Sequence, residues 1–181
     1  MGFLHNIQTL SLHNNRLTGE LPSSLKNCSK LRVLDLRENA LYGEIPTWIG
    51  GSLQNLIVLS LKSNNFHGNI PFQLCHLALI QVLDLSLNNI SGKVPKCFNN
   101  FSAMTQEKSS NPIIGMADKI WILPRYLSGL GVLDLSYNNL SGKIPLGTQL
   151  QSFNASVYAE NLELCGLPLA NMCPDEQSTP S

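Results

Sequence analysis

Read only for apolar and polar positions, the chain repeats one pattern several times. Residues 83–95, LDLSLNNISGKVP, and residues 133–145, LDLSYNNLSGKIP, differ only at Leu87/Tyr137, Ile90/Leu140 and Val94/Ile144. Those exchanges keep a large apolar body and leave every polar, Gly and Pro position unchanged. Three looser copies align with them: LSLHNNRLTGELP from Leu10, LDLRENALYGEIP from Leu34 and LSLKSNNFHGNIP from Leu59. Anchored on their internal amide, the five copies stand at Asn15, Asn39, Asn64, Asn88 and Asn138, with steps of 24, 25, 24 and 50 residues. A short fixed period of this kind marks a repeat architecture, in which each residue takes its meaning from its place in the turn.

The pattern L-x-x-L-x-L-x-x-N-x-L-x-G-x-I-P is that of a leucine-rich repeat, and each segment of it predicts an element. Leu34 and Leu36 alternate with Asp35 and Arg37 at the two-residue period of a strand, so the leucines are expected inward and the polar pair outward. Such strands stack in parallel about 4.8 Å apart and form the concave sheet of a solenoid. The Asn after each strand sits where the chain turns inward; its amide is expected to satisfy backbone groups the turn leaves unpaired, making a ladder. Gly19, Gly43, Gly68, Gly92 and Gly142 permit a tight bend and the following Pro ends hydrogen bonding, with room for a second short strand. Stretches such as SSLKNCSKL and FQLCHLALI are too short for a full helix and predict single 3₁₀ or α turns on the convex side.

The last step is twice the period. Residues 97–129 contain polar, turn-rich TQEKSSNP and apolar IIGMADKIWILP but no copy of the pattern. They read as an irregular insertion carrying a binding element, or as a degenerate repeat. Looping out is the favoured expectation, with VLDLS at 82–86 pairing directly with VLDLS at 132–136. The resulting organisation is four repeats over 1–96, the insertion or degenerate repeat over 97–129, a final repeat over 130–146, a C-terminal cap over 147–174 and a disordered tail over 175–181.

Composition narrows the function classes. The 181 residues carry no net formal charge, which gives no reason to expect nucleic acid or an anionic membrane as partner. No apolar run is long enough to span a bilayer, and MGFLHNIQTLSL shows neither a signal-peptide nor a myristoylation pattern. Among Cys28, Cys75, Cys97, Cys165 and Cys173 there is no C-x-x-C pair, so zinc and dithiol chemistry lack a motif. Cys165 and Cys173 bracket GLPLANM after the last repeat and are expected to form a disulfide in the cap. Cys28 and Cys75, two repeats apart, are expected to be buried thiols. Sequons at Asn27, Asn89, Asn100, Asn139 and Asn154, together with the cap cysteines, point to the secretory pathway.

His5, His13, His67 and His76 are scattered without H-E-x-x-H, G-x-S-x-G or a phosphate-cradling glycine loop, so no catalytic, metal or cofactor site is assigned. Asp35, Asp84 and Asp134 recur at one strand position and read as solvated concave residues. The informative positions are those that repetition leaves open. After the second strand leucine they are His13, Arg37, Lys62, Ser86 and Ser136, and in the next column Asn14, Glu38, Ser63, Leu87 and Tyr137. The first three form a basic strip suited to an acidic peptide or an oligouronide, and Leu87 and Tyr137 suit an interface. The candidate ligand-binding residues are therefore His13, Arg37, Glu38, Lys62, Leu87 and Tyr137.

The plant-type phrase L-x-G-x-I-P, followed by GTQLQSFNASVYAENLELCGLPLANMC, resembles the membrane-proximal end of plant leucine-rich repeat receptor-like proteins, in the group similar to fungal-elicitor receptors. Ala159 and Glu160 stand where that family usually has a Gly before the Asn. The resemblance implies an α/β leucine-rich repeat solenoid of the plant-specific type with a concave parallel β-sheet. It further implies a non-enzymatic plasma-membrane glycoprotein that senses extracellular ligands in defence or development and signals through receptor kinases. In that family WILPRY leads into several further repeats, whereas here it runs into LSGLGVLDLS, so the chain reads as a C-terminal ectodomain fragment or a shortened paralogue. The expected partners are an extracellular protein, peptide or glycan ligand and a receptor-kinase co-receptor, with no nucleic acid and no membrane insertion by this chain. The alternatives are a soluble inhibitor of secreted pathogen polygalacturonases and a non-functional truncated paralogue.

Overall fold

The structure, a computed structural model, describes residues 6–99 and 130–174. Each turn of the chain lays down two short strands. These are β1 (Thr9–Ser11) and β2 (Thr18–Gly19), β3 (Val33–Asp35) and β4 (Ala40–Glu44), β5 (Val58–Ser60) and β6 (Asn65–Asn69), β7 (Val82–Asp84) and β8 (Asn89–Gly92), β9 (Val132–Asp134) and β10 (Asn139–Lys143), with β11 (Glu163–Cys165) in the cap. The odd-numbered strands up to β9 form one parallel sheet in the order β1-β3-β5-β7-β9. A second sheet runs β11-β10-β8-β6-β4-β2. On the side away from the first sheet the turns close through the 3₁₀ segments Ser23–Asn27 and Phe72–His76 and a single helical turn, α1 (Trp48–Ser52).

The core is the stack of repeated apolar positions. Leu34, Leu59, Leu83 and Leu133 lie in register along the first sheet, and Leu36, Leu61, Leu85 and Leu135 stack beneath them, all buried. Phe66, Ile90 and Leu140 continue the core under the second sheet, and Leu25, Ile49 and Leu74 reach it from the convex turns. Full burial of such a side chain contributes about 2 kcal/mol, and no single turn could bury its leucines alone.

β7 pairs directly with β9, with Val82, Leu83 and Asp84 opposite Val132, Leu133 and Asp134. Leu85 N donates to Asp134 O at 2.9 Å and Leu87 N to Ser136 O at 3.0 Å. The two near-identical phrases are therefore consecutive turns, the pairing that looping out requires. The course of the intervening segment lies outside the described residues.

The Asn ladder is present and runs one rung further than the five copies. Asn39, Asn64, Asn88 and Asn138 each donate to a carbonyl of the preceding turn, at Leu12, Leu36, Leu61 and Leu85 respectively, every one at 3.0 Å. Their Oδ1 atoms accept backbone N–H groups of that same turn, from Leu17, Leu41, Phe66 and Ile90. Asn161 repeats the geometry, donating to Leu135 O at 3.0 Å and accepting from Leu140 N at 2.9 Å. The cap thus contains a sixth turn. Tyr158 fills the place of the second strand leucine, fully buried, and its hydroxyl donates to Leu150 O at 2.8 Å. Leu135 N and Tyr137 N donate to Val157 O and Ala159 O, extending the first sheet's pairing past its last strand. Glu160, just before the rung, has φ +56°, matching Tyr137 at +54° one turn earlier; this left-handed requirement is a physical reason for a Gly at that place in related caps.

One cysteine assignment changes. Cys75 is not a thiol: it is bonded to Cys97, with Cα atoms 5.9 Å apart. Their separation of 22 residues is close to one period and places them on adjacent turns, whereas Cys28, two turns from Cys75, stays a buried thiol. Cys165 and Cys173 are bonded across the cap, Cα to Cα 5.1 Å.

Candidate functional site

The concave face is built from the polar column of the strands and the residues that follow it. Ser11, Asp35, Ser60, Asp84 and Asp134 stand opposite one another along the first sheet. They are not the solvated row expected from the sequence: Asp35 and Ser60 are fully buried, Asp84 is buried and Asp134 half-buried. Short side chains one strand spacing apart shield one another, and each carboxylate is tied down locally. Asp84 Oδ1 accepts from Ser86 N at 3.1 Å and Ser86 Oγ at 2.7 Å, and Asp134 is held by Ser136 in the same way, at 3.0 and 2.7 Å. Burial pushes the Asp84 carboxyl above its ordinary value, and the nearby Asp134 charge adds to the shift, against the opposing bonds from Ser86 and the attraction of Lys62.

The basic strip is also altered. Arg37 is buried, its Nη2 3.7 Å from Asp35 Oδ2, and His13 Nδ1 lies 3.4 Å from the same oxygen. Asp35 therefore offsets the positive field that His13 and Arg37 were expected to present. Lys62 remains half-exposed. Sequence periodicity alone could not show this, because Asp35 and Arg37 stand in the same outward row and their pairing depends on side-chain reach.

The exposed surface is the next column, where the strand ends and the chain turns inward to bring each Asn amide into the ladder. The turn forces left-handed backbone at Asn14, Glu38, Ser63, Leu87 and Tyr137, with φ between +52° and +57°. Asn tolerates that region; Leu and Tyr do so at about 1–2 kcal/mol each. Leu87 is nonetheless 41% exposed and Tyr137 52% exposed, on consecutive turns. A hollow of about 250 Å³ on the same face is lined by Arg37, Glu38, Lys62, Asp84, Val132, Leu133 and Asp134. Val132, exposed on the last strand of the sheet, was not singled out from the sequence.

Asn27, Asn89, Asn139 and Asn154 are exposed, while the sequon at Asn100 lies outside the described residues. Asn154 Oδ1 also accepts from Ser156 N at 2.9 Å, capping the 3₁₀ segment Ala155–Tyr158. Among the described residues no three His, Cys, Asp or Glu side chains converge as metal ligands, and no helix is long and apolar enough to cross a membrane.

Comparison with known proteins agrees with this geometry. The family profile described as Leucine Rich repeats (2 copies) matches residues 5–49, and the profile described as Leucine Rich Repeat matches residues 55–77, 79–101 and 129–150. A chain of the BIR3–SERK2 complex from Arabidopsis thaliana is 33% identical, with TM-score 0.72, covering 91% of this chain and 72% of its own. The chain belongs to the leucine-rich repeat family, in the form found in plant receptor ectodomains. The BIR2 ectodomain from Arabidopsis thaliana is 32% identical at TM-score 0.71, again over 91% of this chain and 72% of its own. The plant peptide hormone receptor RGFR1, solved with RGF2, is 30% identical at TM-score 0.68, but this chain spans only 22% of its length. No curated protein sequence matches. The leucine-rich repeat scaffold accounts for the left-handed backbone in every turn, and what it leaves open is the choice of large exposed side chains at Leu87 and Tyr137.

Proposed function

We propose that this leucine-rich repeat chain is the recognition part of a plant receptor-like protein, binding an extracellular protein or peptide on the rim that includes Glu38, Lys62, Leu87 and Tyr137. The observation that carries this reading is the pair Leu87 and Tyr137. Two large apolar side chains are held exposed on neighbouring turns, in backbone geometry that disfavours them. Strain of that kind, repeated at a solvent-facing position, fits an interface in which the side chains are anchors. Lys62, one turn before Leu87, and Glu38, two turns before it, supply charges on the same face that set partner choice more than affinity. In this reading the protein sits at the outer side of the plasma membrane, carries glycans on its exposed sequons and acts in defence or developmental signalling with a receptor-kinase partner. Support comes from solved relatives in complexes: BIR3 with SERK2, and RGFR1 with RGF2.

The test is titration of the secreted chain against panels of plant extracellular peptides and receptor-kinase ectodomains. For a ligand so found, Leu87→Asp and Tyr137→Asp should each weaken binding at least about tenfold, as hot-spot loss does. Leu79→Asp, at an exposed position on the connection into β7, should leave binding unchanged. Equal losses at all three positions would count against the rim.

A further inference from the structure

The second sheet carries a charge pattern that the rim does not use. In each turn the residue after the bend glycine is exposed: Glu20, Glu44, Asn69, Lys93 and Lys143. Each side chain lies over the glycine of the following turn. A Cβ on Gly43 would fall 2.9 Å from Glu20 Cγ and one on Gly68 2.9 Å from Glu44 Cγ. A Cβ on Gly92 would collide with Asn69 Oδ1, and on Gly142 and Gly166 it would lie 3.4 Å from Lys93 Cε and Lys143 Cγ. The five side chains therefore stand in one file, one per turn, at about the strand spacing of 4.8 Å.

In order, the file reads acid, acid, amide, base, base. Like charges stand on adjacent rungs at each end, so neighbours within the file do not complement one another. The order is antisymmetric in sign about Asn69. A half-turn about an axis that passes by Asn69 parallel to the strands, in the plane between two facing sheets, sets Glu20 opposite Lys143, Glu44 opposite Lys93 and one Asn69 amide opposite the other. Self-complementarity under a two-fold axis is the condition for a closed dimer interface. Tyr42, two residues before Glu44 on the same strand face, is 51% exposed and supplies an aromatic contact beside the charged file.

We propose that this face of the second sheet pairs with the same face of a second copy, the two solenoids running antiparallel, with charge complementarity setting register. Asn89 and Asn139 begin β8 and β10 on this face, four residues before Lys93 and Lys143 or about 13 Å along the strand, so glycans there would gate the pairing.

The experiment is sedimentation velocity on the secreted chain after enzymatic removal of any N-glycans. A dimer is expected at low ionic strength and a monomer in about 1 M salt, where the screening length falls to about 3 Å. Two double variants decide register: Lys93→Glu/Lys143→Glu, with an acidic file, and Glu20→Lys/Glu44→Lys, with a basic one. Each should sediment alone as a monomer, and an equimolar mixture should recover the dimer. A parent chain that stays monomeric at low salt, variants that dimerise alone as the parent does, or a mixture that fails to associate would each overturn the proposal. Should either double variant lose its circular-dichroism spectrum, Lys93→Gln/Lys143→Gln replaces it and should weaken the parent dimer at least tenfold, unchanged dimerisation overturning the idea.

Discussion

Replacing Asn88 by Ala removes one rung of the ladder from between two turns. Its Nδ2 donates to Leu61 O at 3.0 Å and to Leu85 O and Ser86 O at 3.1 Å, and its Oδ1 accepts Phe66 N at 3.0 Å. An amide nitrogen has only two hydrogens, so the three donated contacts count as about two bonds. The accepted bond matters more. Phe66 is fully buried, and its N–H would be left against an apolar core with no replacement partner. At about 1 kcal/mol for each lost donated bond, and 1–3 kcal/mol for the orphaned buried group, the expected cost is about 3–5 kcal/mol. For a domain of this size that lowers Tm by about 6–20 °C. Asn89→Ala, one residue along and exposed, should stay within about 0.5 kcal/mol. Asn15→Ala should cost no more than about 1 kcal/mol, because among the described residues that exposed amide donates to Leu12 O and His13 O of its own turn and to no other turn. Thermal unfolding by circular dichroism on glycan-free protein gives the ranking. Equal shifts for Asn88→Ala and Asn89→Ala would refute the ladder's energetic role.

Relieving the left-handed strain with Leu87→Asn and Tyr137→Asn should raise stability by about 1 kcal/mol each, read as Tm, while weakening binding to any ligand of the rim. Cys97→Ser opens a loop spanning 22 residues and should cost about 3 kcal/mol, read by denaturant unfolding, with the parent under reductant losing at least as much because Cys165–Cys173 opens too. Asp84 has a folded pKa raised by burial above its ordinary 3.8, so the folded chain holds that proton more tightly than the unfolded one. Stability linked to it is complete below the unfolded value and is lost as pH rises through the folded one. Asp84→Asn should therefore raise Tm at neutral pH and lose its advantage below pH 3.8. Hydrogen exchange should be fastest in the first turn, where Leu12 and Leu17 are exposed, and slow in the cap, where Tyr158 and Asn161 are buried.

The solenoid was legible because every turn imposes the same geometry and so the same residues: Leu83 and Leu133, or Asn88 and Asn138, can be superposed by eye. The cap turn was hidden for three local reasons. Tyr158 replaces a leucine, Asn161 follows Asn138 by 23 residues, and one extra residue separates Asn161 from Gly166 compared with Asn138 and Gly142. The Cys75–Cys97 bond is a neighbour relation between turns, 22 residues apart, and carries no local spacing motif that would announce it. The burial of Asp35 and Arg37 was invisible for a similar reason: the pattern says which side of the strand a residue takes, while exposure depends on what stands at the same height on the adjacent strands. Leu87 and Tyr137 could be singled out from the sequence because repetition does not dictate them. The left-handed backbone that makes them costly could not.

Recognition on the left-handed rim of the concave face is most directly tested by site-directed photocrosslinking. A benzophenone side chain is placed in turn at Leu87, Tyr137, Phe72 on the convex side and Tyr42 on the second sheet, all exposed, and each secreted chain is irradiated with a ligand identified by titration. Adducts are expected from positions 87 and 137, suppressed by excess unmodified chain, with none from 72. Adducts from 72 or 42 with 87 and 137 silent would contradict recognition on the rim.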